Sequence, residues 1–161
     1  MNILIVDDSR FLRLANERAL SKAGHQVLTA SDGEEGLRLG IEHQPDLIVL
    51  DMLLPKLSGP EVLRALRKNL RTATIPIMVL TSLPQRNEDK LLKEGATVYF
   101  EKAGLRIAEG SGAFVEAAER TLAMAKQAKT NLAKTNQAKT NQAKTNQAKA
   151  TSAEAAKSAG A

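Results

Sequence analysis

The 161-residue chain contains no cysteine and no tryptophan, and only one tyrosine and three phenylalanines. Without cysteine there are no disulfides, no thiolate ligands and no thiol nucleophile, which fits a cytosolic protein. No apolar run approaches the length of a membrane-spanning helix. The N-terminus is a short Met-Asn lead into an apolar run, with no basic region or signal-like segment. That pattern too fits a cytoplasmic location. There is no glycine-rich dinucleotide fingerprint and no P-loop lysine motif. The two histidines, His25 and His43, lack metal-ligand spacing and read as surface residues.

Acidic residues are scarce in one region only. Residues 126–161 hold seven lysines and a single glutamate, a charge of +6, while residues 1–125 hold 16 Lys+Arg against 17 Asp+Glu, a charge of −1. The basic character therefore belongs to the tail. From Ala128 the tail repeats every five residues: Ala-Lys-Thr-Asn-Leu, then Ala-Lys-Thr-Asn-Gln from Ala133, Ala138 and Ala143. Five residues advance a helix by about 140°, so successive lysines face different directions and the repeat builds no apolar stripe. Ala, Lys and Gln favour helix while Thr and Asn oppose it. The expectation is a domain over 1–125 and a tail over 126–161 that is a frayed helix or disordered.

What the first part has is a set of short, unbroken apolar runs ending in polar residues. Ile3-Leu4-Ile5-Val6 leads into Asp7-Asp8, Leu47-Ile48-Val49-Leu50 into Asp51, and Ile77-Met78-Val79-Leu80 into Thr81-Ser82. Such runs suit strands buried on both faces of a parallel sheet. Val27-Leu28 and Val98-Tyr99-Phe100 add a second and a fifth strand. Between them lie helix-like segments. The first carries Phe11, Leu12, Leu14, Ala15, Ala19, Leu20 and Ala23 and stops at Gly24. Others run over Gly33–His43, Glu61–Leu70 and Glu88–Lys93, and a last one begins near Ser111. Leu70 is expected to continue the third helix's core stripe, and Leu91 and Leu92 to be core. Five alternating units imply an α/β, doubly wound parallel sheet with right-handed crossovers.

In such a sheet ligands gather beyond the carboxyl ends of the strands. Asp7, Asp8, Asp51 and Thr81 should therefore meet in one crevice. Clustered carboxylates repel unless a cation sits among them. Asp8 and Asp51 could both touch a small, hard divalent ion, with Mg2+ the first choice and Mn2+ the second. One carboxylate could then attack a phosphoryl group. The Thr81 hydroxyl and the ammonium of Lys102, directly after the fifth strand, would meet the transferred oxygens.

Taken together, Val6-Asp7-Asp8-Ser9, Leu50-Asp51-Met52-Leu53-Leu54-Pro55, Gly59, Leu80-Thr81-Ser82, Gly95-Ala96 and Tyr99-Phe100-Glu101-Lys102 closely resemble the receiver domain of bacterial two-component response regulators, especially the single-domain chemotaxis type. The resemblance covers residues 1 to about 123. It implies a flavodoxin-like, five-stranded sheet of order 2-1-3-4-5 with five helices. It makes Asp51 the phosphoacceptor, with Asp8 and Asp51 as direct Mg2+ ligands and Asp7 acting through water. The Leu53 backbone carbonyl would complete the protein ligands. Thr81 and Lys102 would bind the phosphoryl oxygens, and Tyr99 would be the aromatic switch that turns inward as Thr81 moves. Leu53 and Leu83 fall at the positions that flank the phosphoryl group. Both are apolar and cannot orient an attacking water, so slow self-dephosphorylation is expected.

The family usually follows its lysine with proline; here Ala103-Gly104 follow Lys102, so a trans peptide in a more mobile loop is expected. Only the lysine repeat is read after the last helix, so no output domain is expected. The Asp-x-Asp pattern of haloacid-dehalogenase-type phosphatases is absent, because Leu53 lies two residues after Asp51. The resulting expectation is a stand-alone phosphorelay switch rather than an enzyme. It would assist its own phosphorylation and dephosphorylation, with a histidine kinase or phosphotransfer protein as donor and a downstream protein as target. The alternative is a polyanion-binding adaptor acting through Lys126, Lys129, Lys134, Lys139, Lys144 and Lys149. The tail has no aromatics to stack on bases, so its contact with DNA or an anionic membrane would be electrostatic. A plain solubilising segment is the simpler reading of the same repeat.

Overall fold

The apolar runs form a five-stranded, all-parallel sheet of order β2-β1-β3-β4-β5. Its strands are β1 (Asn2–Val6), β2 (Gln26–Ala30), β3 (Leu47–Leu50), β4 (Ile77–Thr81) and β5 (Val98–Glu101). The helices are α1 (Arg10–Lys22), α2 (Gly33–His43), α3 (Gly59–Lys68), α4 (Glu88–Lys93) and α5 (Gly112–Ser158). The computed structural model describes residues 1–82, 88–104 and 112–158, with side chains described through residue 137 and at residue 139. The chain divides into two compact units, Met1–Ala123 and Met124–Ala161. Among the described residues, no helix is long and apolar enough to cross a membrane.

Register explains why the strand ends coincide. Val6 pairs with Leu50, Leu50 with Val79, and Thr81 with Glu101, so the polar residues after β1, β3 and β4 and the start of the turn after β5 share one edge. The strand side chains alternate between two cores. One holds Leu4, Val6, Ile48, Leu50, Ile77 and Val79 against Val62, Leu63 and Leu66 of α3. The other holds Ile3, Ile5, Leu47, Val49, Met78 and Leu80 against Leu20 of α1 and Phe114 and Ala118 of α5. β3 and β4 are buried along their whole length, as two-sided coverage requires.

The helix ends follow local chemistry. Ser9 caps α1 by accepting from the Leu12 amide, and Asp32 caps α2 by accepting from the Glu35 amide. Ser58 and Glu61 form a reciprocal box at α3, with Pro60 in its first turn. This box starts α3 two residues before the expected Glu61. Asn69 closes the helix in extended backbone, so Leu70 falls outside it and is 95% exposed. Gly95 ends the turn after α4 at φ +108°, a conformation that disfavours any side chain.

At the edge opposite the carboxyl ends, Arg67 of α3 binds the segments that lead into β4 and β5. Its guanidinium donates to the carbonyls of Gly95, Ala73 and Ile75 at 2.8, 3.3 and 2.9 Å.

Several sequence expectations shift. The buried positions of α1 are Asn16 and Leu20, with Leu12 packed against the core, while Phe11 and Leu14 are exposed. Leu92 is exposed and Leu91 buried, so only one of that pair is core. His43 lies on the surface, but His25 does not: its side chain is 10% exposed, with Nε2 3.5 Å from a Glu119 carboxylate oxygen. The expected helix start near Ser111 falls at the edge of the described residues, with α5 beginning at Gly112.

Candidate functional site

Each site residue stands where a strand stops. Asp7 and Asp51 are almost fully buried at the ends of β1 and β3, while the neighbouring Asp8 is exposed. Backbone bonds extend the sheet by one residue under both: the Asp7 amide donates to Ala30 and the Asp51 amide to Val6. The three carboxylates each offer an oxygen, and these oxygens lie within 4.8 Å of one another. A cluster of hard oxygen donors at this spacing suits a small divalent cation.

Lys102 closes the cluster from the β5 side. Its Nζ lies 2.6 Å from Asp51 Oδ2 and 2.8 Å from Asp7 Oδ2. Its backbone amide donates to the Thr81 carbonyl at 2.9 Å, which ties the turn after β5 to the end of β4. A second bond from the Gly104 amide to the Glu101 carbonyl closes that turn. No cis peptide occurs among the described residues, so the Lys102–Ala103 bond is trans. The ammonium thus reaches both carboxylates without a proline after the lysine.

Both oxygens of Asp51 are held. Lys102 takes Oδ2, and the Leu53 amide donates to Oδ1 at 3.1 Å. Asp7 is held the same way, with Oδ1 accepting from the Ser9 amide at 2.9 Å. Burial raises the Asp7 carboxyl above its ordinary range, and its bonds to Lys102 and Ser9 offset only part of that rise. For Lys102, burial alone would pull the ammonium down. Its bonds to Asp51 and Asp7 outweigh this and hold it above the ordinary lysine range.

Thr81 is fully buried at the last position of β4. Tyr99 is also buried, within the α3-side core, and burial raises its phenol above the ordinary value. Leu53 is 53% exposed at the crevice. Leu83 lies outside the described residues. In the second unit, Lys126, Lys129, Lys134 and Lys139 are exposed, while the side chains of Lys144 and Lys149 lie outside the described ones.

Sequence reasoning missed two supports of the site. The Arg13 guanidinium donates to the carbonyls of Asp7 and Asp8 at 2.7 and 3.4 Å, fixing the acidic loop from α1. An arginine between apolar positions of a helix reads as a solvated face, so no signal singled it out. The second support is Lys56, in the left-handed region at φ +64° inside a three-residue turn, where the Leu57 amide donates to the Pro55 carbonyl. Lys56 Nζ bonds Asp32 at 2.5 Å, tying the β3–α3 loop to the cap of α2. The spacing from Asp51 through Pro55 to Gly59 also acquires a reason. A Cβ on Gly59 would lie 2.2 Å from the Asp51 carbonyl oxygen, so only glycine lets α3 start against that loop.

An acid pair, a further aspartate, a hydroxyl and a lysine at successive strand ends of a 2-1-3-4-5 sheet define a receiver. The family model for the response regulator receiver domain matches residues 3–108, and the chain belongs to that family. Among curated relatives it is 46% identical over 88 residues to the transcriptional regulatory protein AfsQ1 of Streptomyces coelicolor, covering 55% of this chain and 36% of that protein. It is 37% identical over 102 residues to protein PilH of Pseudomonas aeruginosa, covering 62% of this chain and 84% of PilH. Among solved structures it matches the chemotaxis protein CheY4 of Vibrio cholerae with a TM-score of 0.67 and 28% identity, covering 74% of this chain and 97% of that one. The chain spans only 36% and 41% of the lengths of the transcriptional regulators AfsQ1 and PhoP that it matches.

Proposed function

We propose that the chain is a stand-alone phosphorelay regulator that accepts a phosphoryl group on Asp51 from a histidine kinase or phosphotransfer protein. The observation that carries this reading is the grip of Lys102 on Asp51 and Asp7 at 2.6 and 2.8 Å inside a cluster of three carboxylates. Asp7, Asp8, Asp51 and the Leu53 carbonyl would hold Mg2+ (or Mn2+), Asp7 through a water. The ion would offset the repulsion between the carboxylates and an incoming phosphoryl dianion.

The residues divide the work as follows. An Asp51 carboxylate oxygen forms the new P–O bond as the donor's bond to phosphorus breaks, and the donor group departs with that electron pair. The Leu53 amide keeps the other Asp51 oxygen oriented. Lys102 moves its bond from Asp51 to a phosphoryl oxygen, so the charge passing from donor to acceptor stays matched. The Thr81 hydroxyl binds a second phosphoryl oxygen, and its displacement frees space that Tyr99 responds to. The outcome is a change of surface for a downstream protein, not turnover of a substrate. A cytoplasmic location fits the lack of cysteine.

The test is incubation with acetyl phosphate and MgCl2, followed by intact-mass measurement. Wild type should gain one phosphoryl group, and Asp51→Asn should gain none. A phosphorylated Asp51→Asn would overturn the assignment. A second reading rests on the charge of +6 over residues 126–161. In it the tail, separate from a receiver spanning 1–125, makes sequence-blind contacts with DNA or an anionic membrane through Lys126, Lys129, Lys134, Lys139, Lys144 and Lys149.

A further inference from the structure

The metal site has an outer support that supplies none of its oxygens. Between β3 and α3 the chain runs from Asp51 to Gly59, and this loop carries the Leu53 carbonyl, the backbone ligand proposed above for Mg2+. Both ends of the loop are fixed. The Leu53 amide donates to Asp51 Oδ1 at 3.1 Å, and the Gly59 amide donates to the Met52 carbonyl at 3.2 Å. Its middle, from Pro55 to Leu57, lies against the start of α2. The Gly33 amide donates to the Pro55 carbonyl at 3.3 Å. The two backbones touch there, since a Cβ on Gly33 would fall 1.8 Å from the Leu57 carbonyl oxygen.

Lys56 stands at the apex of this contact. Its φ of +64°, in a turn closed by the bond from the Leu57 amide to the Pro55 carbonyl, is strained for any residue with a side chain. Such strain persists only where the surroundings over-determine it. Glycine would form the turn with less strain but has no ammonium to offer. Lys56 Nζ donates to Asp32 Oδ2 at 2.5 Å, while Oδ1 of the same carboxylate accepts from the Glu35 amide at 2.9 Å. The Asp32 side chain is 9% exposed and that of Lys56 58% exposed, so the lysine reaches inward to a fixed anchor. Of the other charges around this hollow, Glu35 binds Ser31 and Arg38 binds Glu42, each at 2.9 Å, and Glu34 adds to the negative field that Lys56 meets.

We infer that Lys56 is a positioning residue for the metal: its bond to Asp32 pins the β3–α3 loop to the cap of α2 and so holds the Leu53 carbonyl toward the three carboxylates. The inference rests on the reading of Asp7, Asp8, Asp51 and the Leu53 carbonyl as the Mg2+ ligands. It differs from a purely electrostatic role in sign. An ammonium beside a cation site repels the cation, whereas an ammonium that orients a ligand aids its binding.

Calorimetric titration of the full chain with MgCl2 tests this, beside urea unfolding in EDTA. Lys56→Met removes a positive charge and bares the Asp32 carboxylate. Coulomb attraction alone then predicts tighter Mg2+ binding. Lost positioning predicts binding weaker by about tenfold, the lower end for a group that orients a metal ligand. Lys56→Gly relaxes the turn as it removes the ammonium. Its stability in EDTA should stay close to wild type, because relief of strain offsets loss of a partly exposed pair. Its Mg2+ affinity should still fall about tenfold, which a role in stability alone would not produce. Asp32→Asn keeps the cap but loses the charged acceptor, and it should weaken Mg2+ binding too. Lys56→Met with Asp32→Asn should bind no more weakly than Lys56→Met alone, since both remove the same bond. Charge alone would instead return the double variant to wild-type affinity. Should Lys56→Met not fold, Lys56→Gly must still show the loss. Unchanged or tighter Mg2+ binding in the Lys56 variants overturns the inference and leaves the metal site standing. Losses that add in the double variant, or a double variant that matches wild type, overturn it equally. A wild type that takes up no Mg2+ overturns the reading of the site, and the inference with it.

Discussion

Replacing Lys102 by methionine should show how much of the receiver's stability depends on one ammonium. The side chain is 12% exposed, and the Asp7 and Asp51 side chains it bonds are 3% and 5% exposed. Methionine fills similar space but leaves two adjacent carboxylates without that partner. Removing one member of a buried ion pair costs about 3–5 kcal/mol, and the crevice is open beside exposed Asp8, so the lower end, about 3 kcal/mol, is expected. The raised Lys102 value fixes the pH window: its contribution is complete below the ordinary lysine range and disappears only as pH rises through the raised value. The deficit should therefore persist throughout neutral pH. Mg2+ should reverse the deficit. At a hundred times its dissociation constant, a bound ion adds about 2.7 kcal/mol. In wild type the ion must share Asp7 and Asp51 with the ammonium, whereas in the variant it meets them alone. Urea unfolding in EDTA and in MgCl2, on both proteins, measures this. The reasoning fails if the variant in EDTA lies within about 1 kcal/mol of wild type, or if wild type gains more from Mg2+ than the variant does.

Gly59→Ala should destabilise by about 3 kcal/mol, because the atoms its Cβ meets are the backbone of Asp51 and Met52, which cannot give way; the urea midpoint reads this. The bonds Asp32 accepts from the Glu35 amide and from Lys56 lower its carboxyl below the ordinary range. Asp32→Ala should thus lower stability above that range, with the difference fading as pH falls through the lowered value, as followed by urea midpoints across acid pH. Leu53→Asn should speed loss of phosphate from Asp51, since a polar side chain at that half-exposed position can orient water; a decay no faster than wild type would remove the argument. Truncation after Lys126 should leave the melting temperature unchanged, because Leu122 is the last buried core residue among the described ones. It should also abolish any DNA binding, whose log–log salt slope in the full chain would be at most about −5, from roughly −0.9 per lysine contact.

The sheet and its functional edge were legible because two-sided burial demands unbroken apolar runs, and parallel strands put all their ends together. That logic alone sets Asp7, Asp8, Asp51, Thr81 and Lys102 along one edge. The helix faces were harder. The apolar positions Phe11, Leu12, Leu14, Ala15, Ala19, Leu20 and Ala23 mark α1 as a helix, but only Leu12 and Leu20 among its large ones face the core, with Asn16 between them, while Phe11 and Leu14 are exposed. A polar residue at the centre of that side disguised the period. Asn16 is fully buried, and its amide finds no partner among the described residues; nothing in the structure explains it. Supports that act through backbone atoms, such as Arg13 on two carbonyls, leave no trace in residue type. The same holds for the positive φ of Lys56, which lies in a loop whose sequence would suit an ordinary turn.

The Arg67 clamp has a consequence for how the molecule meets changing conditions. At the functional edge the contacts are ionic, and protons, salt and divalent cations all compete for them. At the opposite edge a guanidinium rests on four neutral carbonyls, of Thr72, Ala73, Ile75 and Gly95. Burial lowers its value from the ordinary arginine range, yet it stays charged at any physiological pH, and its acceptors never titrate. Acid can therefore loosen one end while the entry to β4 and the exit from α4 stay seated. A receiver built this way is chemically responsive at one pole and inert at the other.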